Sequence, residues 1–166
     1  MFPCELEEVP EDNNEAPEFS FTLQGPGINR AFVSGDDLEN LQVNILENST
    51  YDFLLLGTDA GGVEFFSIQI AANVMLNFQS VPADVQVSTT SFATIASKEG
   101  DINNSMTGLS IDSQIQVVGD ATHAPEIDLE VRDFASPANS IFAKINVLIV
   151  SSEDDTGVKV WSDDKF

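Results

Sequence analysis

The chemistry open to this chain rests on its carboxylates. Asp and Glu number 28 among 166 residues, against six Lys plus Arg, one His and one Cys, for a formal net charge of −22. Carboxylates in such excess can hold a hard cation, pass protons or hydrate a surface. Ca²⁺ takes about six to eight oxygen ligands. Asp12, Asp36, Asp37, Asp59, Asp133, Asp154 and Asp155 all fall in predicted turns or junctions, so turns gathered at one pole of a β fold would make a Ca²⁺ site. No loop has EF-hand spacing and no Gly/Asp nonapeptide repeats. A glycosidase pair needs a cleft, a separation of about 5–10 Å and one raised pKa, a pattern that any two of so many acids would satisfy. His123 lies in the loop-like stretch Ala121–Pro125 with no serine nucleophile motif nearby. No catalytic residue is assigned, no cofactor is required, and Ca²⁺ is the one ion the residue types suit. The reading preferred for the acids is solvation, because net charge far from zero keeps a domain soluble and monomeric.

The elements that must carry these residues follow from alternation with period 2. Phe19, Phe21 and Leu23 alternate with polar neighbours, as do Leu41, Val43 and Ile45. Tyr51, Phe53 and Leu55 do the same, and Leu54 and Leu56 between and after them predict a strand buried on both faces. Further runs are Phe66–Ile70, Val85–Thr89 and Ile115–Val117. The cleanest are Ile127–Val131 against Asp128, Glu130 and Arg132, and Ile145–Ile149 against Lys144 and Asn146. Gly, Pro and Asp punctuate these runs at Gly25–Gly27, Gly35–Asp37, Gly57–Gly62, Pro82–Asp84, Gly119–Asp120 and Ser136–Pro137, as turn chemistry requires. The stretch Phe92–Leu109 predicts a loop with one short helical turn. The expected fold is all-β, an antiparallel sandwich of about eight to nine strands.

Three segments resemble cadherin-like and bacterial immunoglobulin-like domains. In Ile127–Val150 an alternating strand ends at Asp133, Ser136–Asn139 turns, and a second alternating strand follows. Tyr51–Val63 is similar to the strand and turn written Y-x-F-x-x-x-x-T-D-x-x-G in that group. Asp12–Phe19 is similar to the linker ending A-P-x-F. The L-D-R-E and D-A-D motifs of cadherins are absent, so the resemblance implies an extracellular immunoglobulin-like sandwich rather than cadherin membership.

Residues 1–18 carry seven acids, no Lys or Arg, and three prolines. Such a segment buries too little apolar surface to offset its ordering entropy and is expected to be a disordered tether. Residues 19–152 make the sandwich, and 153–166 an acidic tail with room for one extra edge strand. A single Cys makes no intrachain disulfide. Cys4, placed just before the acidic leash, resembles the acylated Cys of mature bacterial lipoproteins, which implies a lipid anchor. The alternative is a bare thiol in a disordered end.

There are 12 Phe but only one Trp and one Tyr. Phe19, Phe21, Phe53, Phe66 and Phe142 sit at alternating positions and predict core. Trp161 either closes an edge strand or stands as a contact. Nucleic acid and anionic membranes are excluded as partners by charge, and no apolar run approaches the about 18 residues of a membrane span. The expected function is a non-enzymatic, extracellular or surface-attached module for adhesion, spacing or recognition of a protein or glycan partner. The alternatives are a structural subunit assembling by strand exchange or Ca²⁺-linked contacts, and a glycan-binding accessory module.

Overall fold

The computed structural model describes residues 15–71 and 75–160. Cys4, Asp12, Trp161 and most of the expected tether lie outside the described residues. Twelve strands follow in chain order: β1 (Glu18–Gly25), β2 (Ile28–Val33), β3 (Leu41–Leu46), β4 (Thr50–Thr58), β5 (Val63–Ala71), β6 (Leu76–Gln79), β7 (Gln86–Thr89), β8 (Ala93–Glu99), β9 (Gly108–Val117), β10 (Glu126–Asp133), β11 (Ser140–Val150) and β12 (Gly157–Val160). They form two sheets, one ordered β2-β1-β4-β9-β6 and the other β12-β3-β11-β10-β5-β8-β7. The two sheets close around one core, so the described residues form an all-β sandwich. Every pairing among the described residues is antiparallel except one: β3 runs parallel to β11. Among the described residues, no helix is long and apolar enough to cross a membrane.

Alternation accounts for the core. Phe21, Tyr51, Phe53 and Leu55 from the smaller sheet meet Phe66, Ile68, Leu129 and Val131 from the larger, all nearly inaccessible to solvent. Phe21 and Phe53 pack at 5.8 Å between ring centroids and Phe53 and Phe78 at 6.0 Å, so aromatic rings fill the space between the sheets. The Tyr51 hydroxyl donates to the Pro26 carbonyl and accepts from the Leu46 N–H, each at 2.9 Å, so its one polar atom is satisfied inside the sandwich. Its ring explains Gly25, because a Cβ there would come within 2.4 Å of Tyr51 Cδ1.

Several expectations change. Leu54 and Leu56 are not buried on a second face; they are 42% and 36% exposed, and β4 alternates cleanly. The smaller sheet is covered on one side only, so its outward residues meet water. Phe142 is not core but 70% exposed. Val87 and Thr89 belong to the edge strand β7, which is exposed throughout. The stretch expected to loop holds β8 and the start of β9, with the short turn confined to a 3-10 segment at Ile102–Asn104. In the stretch expected to be an acidic tail with room for one extra edge strand, Glu153–Asp155 forms a 3-10 turn and β12 pairs with β3 at the edge of the larger sheet.

Candidate interaction surface

Strand register sorts the expected Ca²⁺ ligands by end. Glu18 opposes Thr58, Arg132 opposes Ser140 and Asp133 opposes Val63, so β1, β5 and β11 begin at one end of the sandwich. Asp36, Asp37, Asp59 and Asp133 belong to turns at that end. Asp154 and Asp155 follow the last residues of β11 and lie at the other.

Three of these carboxylates already serve the backbone, and a fourth a neighbouring side chain. Asp36 accepts from the Val33 N–H at 2.9 Å, and Asp37 from the Asn40 side-chain amide at 2.7 Å. Asp59 accepts from the Gly61 N–H at 2.8 Å. Asp133, only 1% exposed, accepts three bonds: from the Ala135 N–H at 3.0 Å, the Asn139 N–H at 2.8 Å and the Asn139 side chain at 2.7 Å. It shapes the turn that returns the chain into β11. In the Glu153–Asp155 turn, the Asp154 N–H donates to Ser152 Oγ. Among the described residues, no three His, Cys, Asp or Glu side chains group closely enough to hold a metal ion. His123 is exposed, with Nδ1 2.9 Å from the Asp120 carbonyl.

The register and the loops do bring together a site that residue spacing does not announce. Between the Ser34–Glu39 loop and the first half of β11 lies an open depression of about 660 Å³. Asp36, Asp37 and Glu39 line one side, and Asp128 and Glu130 the other. Apolar lining comes from Phe19, Leu129 and Ile141, with Phe142 and Lys144 completing the β11 side. Phe142 stands directly across from Glu130, and Lys144 across from Asp128, on the outer face of the larger sheet.

The charges around it are unevenly matched. Lys144 Nζ lies 3.1 Å from Glu126, and that bond raises the Lys144 pKa above the ordinary lysine value. Arg132 serves Glu64 at 2.8 Å and Glu130 at 3.7 Å. Burial pushes the Asp128 carboxyl above its ordinary value; the Lys144 charge opposes this and the Glu126 charge adds to it. The depression is therefore anionic, with an exposed aromatic ring beside it.

Phe142 could have been placed from the sequence by parity. It shares even numbering with Lys144 and Asn146, the outward members of the same strand, while Ile145, Val147 and Ile149 point in.

No family model matches the chain, and no curated protein matches it. Among solved structures it is similar to a cohesin module from a family 33 glycoside hydrolase of Clostridium perfringens, with 11% identity over 68% of this chain and 95% of that one, at a TM-score of 0.42. It is similar to a non-cellulosomal cohesin from the hyperthermophilic archaeon Archaeoglobus fulgidus, with 13% identity over 69% of this chain and 93% of that one, at 0.41. An ASH/PapD-like domain of human CEP192 matches at 10% identity, covering 68% of this chain and 87% of that one, at 0.33. Likenesses this distant leave the partner to be read from the chain's own surface.

Proposed function

We propose that this chain is a non-enzymatic interaction module, exposed at a cell surface or outside the cell, that recognises a protein partner through the depression beside β11. The observation that carries the reading is Phe142. A ring 70% exposed beside an open, partly apolar depression is the kind of anchor from which protein interfaces draw their affinity. A strongly anionic surface suits a module that stays dispersed and recognises by contact. A glycan-binding module stacks sugars on Trp or Tyr by preference; the one Tyr is fully buried, and Trp161 lies outside the described residues. Assembly by strand exchange would have to strip β1 from the interior of its sheet, where it pairs with both β2 and β4. Ca²⁺ binding and acylation of Cys4 remain separate proposals, tested by calcium-dependent melting and by mass spectrometry of the mature protein.

The test is site-directed photo-crosslinking in the native host. With p-benzoylphenylalanine placed at position 142, a discrete crosslinked protein is expected. The same probe at positions 87 and 118, exposed but distant, should give none. Equal crosslinking from all three positions, or none from position 142, would overturn the proposal.

A further inference from the structure

The backbone of β11 is used on one side along its whole length and on the other side along half of it. The Asn139 carbonyl accepts from the Asp133 N–H at 3.0 Å, and the Val147 and Ile149 N–H groups donate to the Pro125 and His123 carbonyls at 3.1 and 2.8 Å. Odd-numbered residues of β11 therefore turn their backbone groups toward β10 and its extension. Even-numbered residues turn the other way, as the Val150 carbonyl does in accepting from the Glu47 N–H at 2.9 Å. On that side β3 pairs only with Asn146–Val150. Its ladder stops because the 3-10 turn at Leu38–Asn40 draws the Leu41 N–H back to the Leu38 carbonyl. Phe142 and Lys144 thus face the depression with no strand beside them. Among the described residues, no loop hydrogen bond reaches their N–H or C=O groups.

Building on the reading of this depression as a protein-docking site, we propose that the strand-free edge of β11 at Ser140–Lys144, bordered by the Leu38–Asn40 turn that packs against β11, accepts an extended, Lys- or Arg-bearing segment of a partner protein as an added strand. An unpaired edge supplies main-chain hydrogen bonds for such an addition, and the flanking side chains set its specificity. Charge selects the occupant. Residues 1–14 of this chain carry Glu5, Glu7, Glu8, Glu11 and Asp12 with no Lys or Arg, and a second copy brings a net charge of −22. Both are repelled by Asp36, Asp37, Glu39, Asp128 and Glu130. A cationic segment is attracted, and it relieves the repulsion among acids that Arg132 and Lys144, closest to Glu64 and Glu126, offset only in part. Side chains alternate along an added strand. Those on the outer face would meet Phe142 and reach the acids of β10, which favours alternating apolar and cationic residues.

The probe is a fluorescein-labelled peptide of four Lys-Val repeats, with binding read by anisotropy at about 50 mM NaCl. Saturable binding is expected. A peptide of the same composition with its Lys and Val in two blocks, and an alternating peptide N-methylated at every residue, should both bind at least about tenfold more weakly. Phe142→Ser and the Asp128→Asn/Glu130→Gln pair should each weaken binding about tenfold, the pair also flattening its salt dependence, while Val87→Ser on the distant edge β7 changes nothing. Block or N-methylated peptides binding as tightly as the alternating one would overturn strand addition, whatever the behaviour of the variants. So would an unchanged affinity for a folded Phe142→Ser protein. Crosslinks from position 142 without peptide binding would remove strand addition and keep the docking site; no crosslinks would remove both.

Discussion

Replacing Asp133 by Ala would remove the acceptor of two backbone N–H groups and the Asn139 side chain at once, in a place closed to water. Buried donors left unsatisfied cost about 1–3 kcal/mol each, so a loss of about 3 kcal/mol or more is expected by denaturant titration. The loss should be the same in EDTA and in millimolar Ca²⁺, since the carboxylate is engaged by the protein; a loss seen only with Ca²⁺ would make Asp133 a metal ligand. Tyr51 presents the same logic with a proton attached. Tyr51→Phe leaves the Leu46 N–H and the Pro26 carbonyl without their partner and should cost about 1–3 kcal/mol at neutral pH. Burial holds the phenol above its ordinary value, ahead of the smaller opposing effects of the Leu46 N–H and Ser49. A raised folded pKa means the native state grips the proton more tightly than the unfolded chain does. The stability this gives is complete below about pH 10, the ordinary tyrosine value, and is lost as pH rises through the higher folded value. The gap between wild type and Tyr51→Phe should therefore narrow in strongly alkaline buffer.

At the scale of elements, β4 gives the sharpest check on which face is which. Leu55→Ala should cost about 2–5 kcal/mol, as core truncations do. Leu54→Thr and Leu56→Thr, on the watered face, should each stay within about 0.5 kcal/mol of wild type. Chemical denaturation of the three variants reads this directly. The strands legible in the sequence were those whose inward residues are large: Phe19–Leu23, Tyr51–Leu55, Ile127–Val131 and Ile145–Ile149. β8 was not, because its buried positions are Thr94 and Ala96, which give little hydrophobic contrast with their neighbours. Leu54 and Leu56 misled for the opposite reason, being apolar where the sheet happens to be uncovered. The depression could not be read at all, since it is made by where β3 stops, and that depends on a turn diverting one N–H. Its acids divide accordingly: Asp36 and Asp37 stand out in the sequence as turn carboxylates, Asp128 and Glu130 only as the polar half of an alternation.

Across the whole molecule, the charge of −22 works against compactness. Few cations offset it among the described residues, with Lys98 on Asp84, Arg132 on Glu64 and Lys144 on Glu126. Exposed pairs of this kind contribute little individually, so self-repulsion should dominate the ionic-strength response. The melting temperature is expected to rise as NaCl increases from about 10 mM to about 500 mM, where the Debye length falls well below the molecular radius. A fall would mean that attractive pairs outweigh the repulsion. The same molecule-wide view gives β3 a distinctive history. Its two neighbours are β11 and β12, and its first partner on β11, Asn146 against Gln42, lies 104 positions later in the chain. On a ribosome, the smaller sheet's β1, β2 and β4 would be free to pair while β3 hung between them with both edges bare. Its Val43 and Ile45 would stay uncovered until nearly the last strand had emerged. Synthesis pauses or truncations before residue 146 would thus release chains with a sticky, half-built larger sheet, the species for which chaperones and proteases compete.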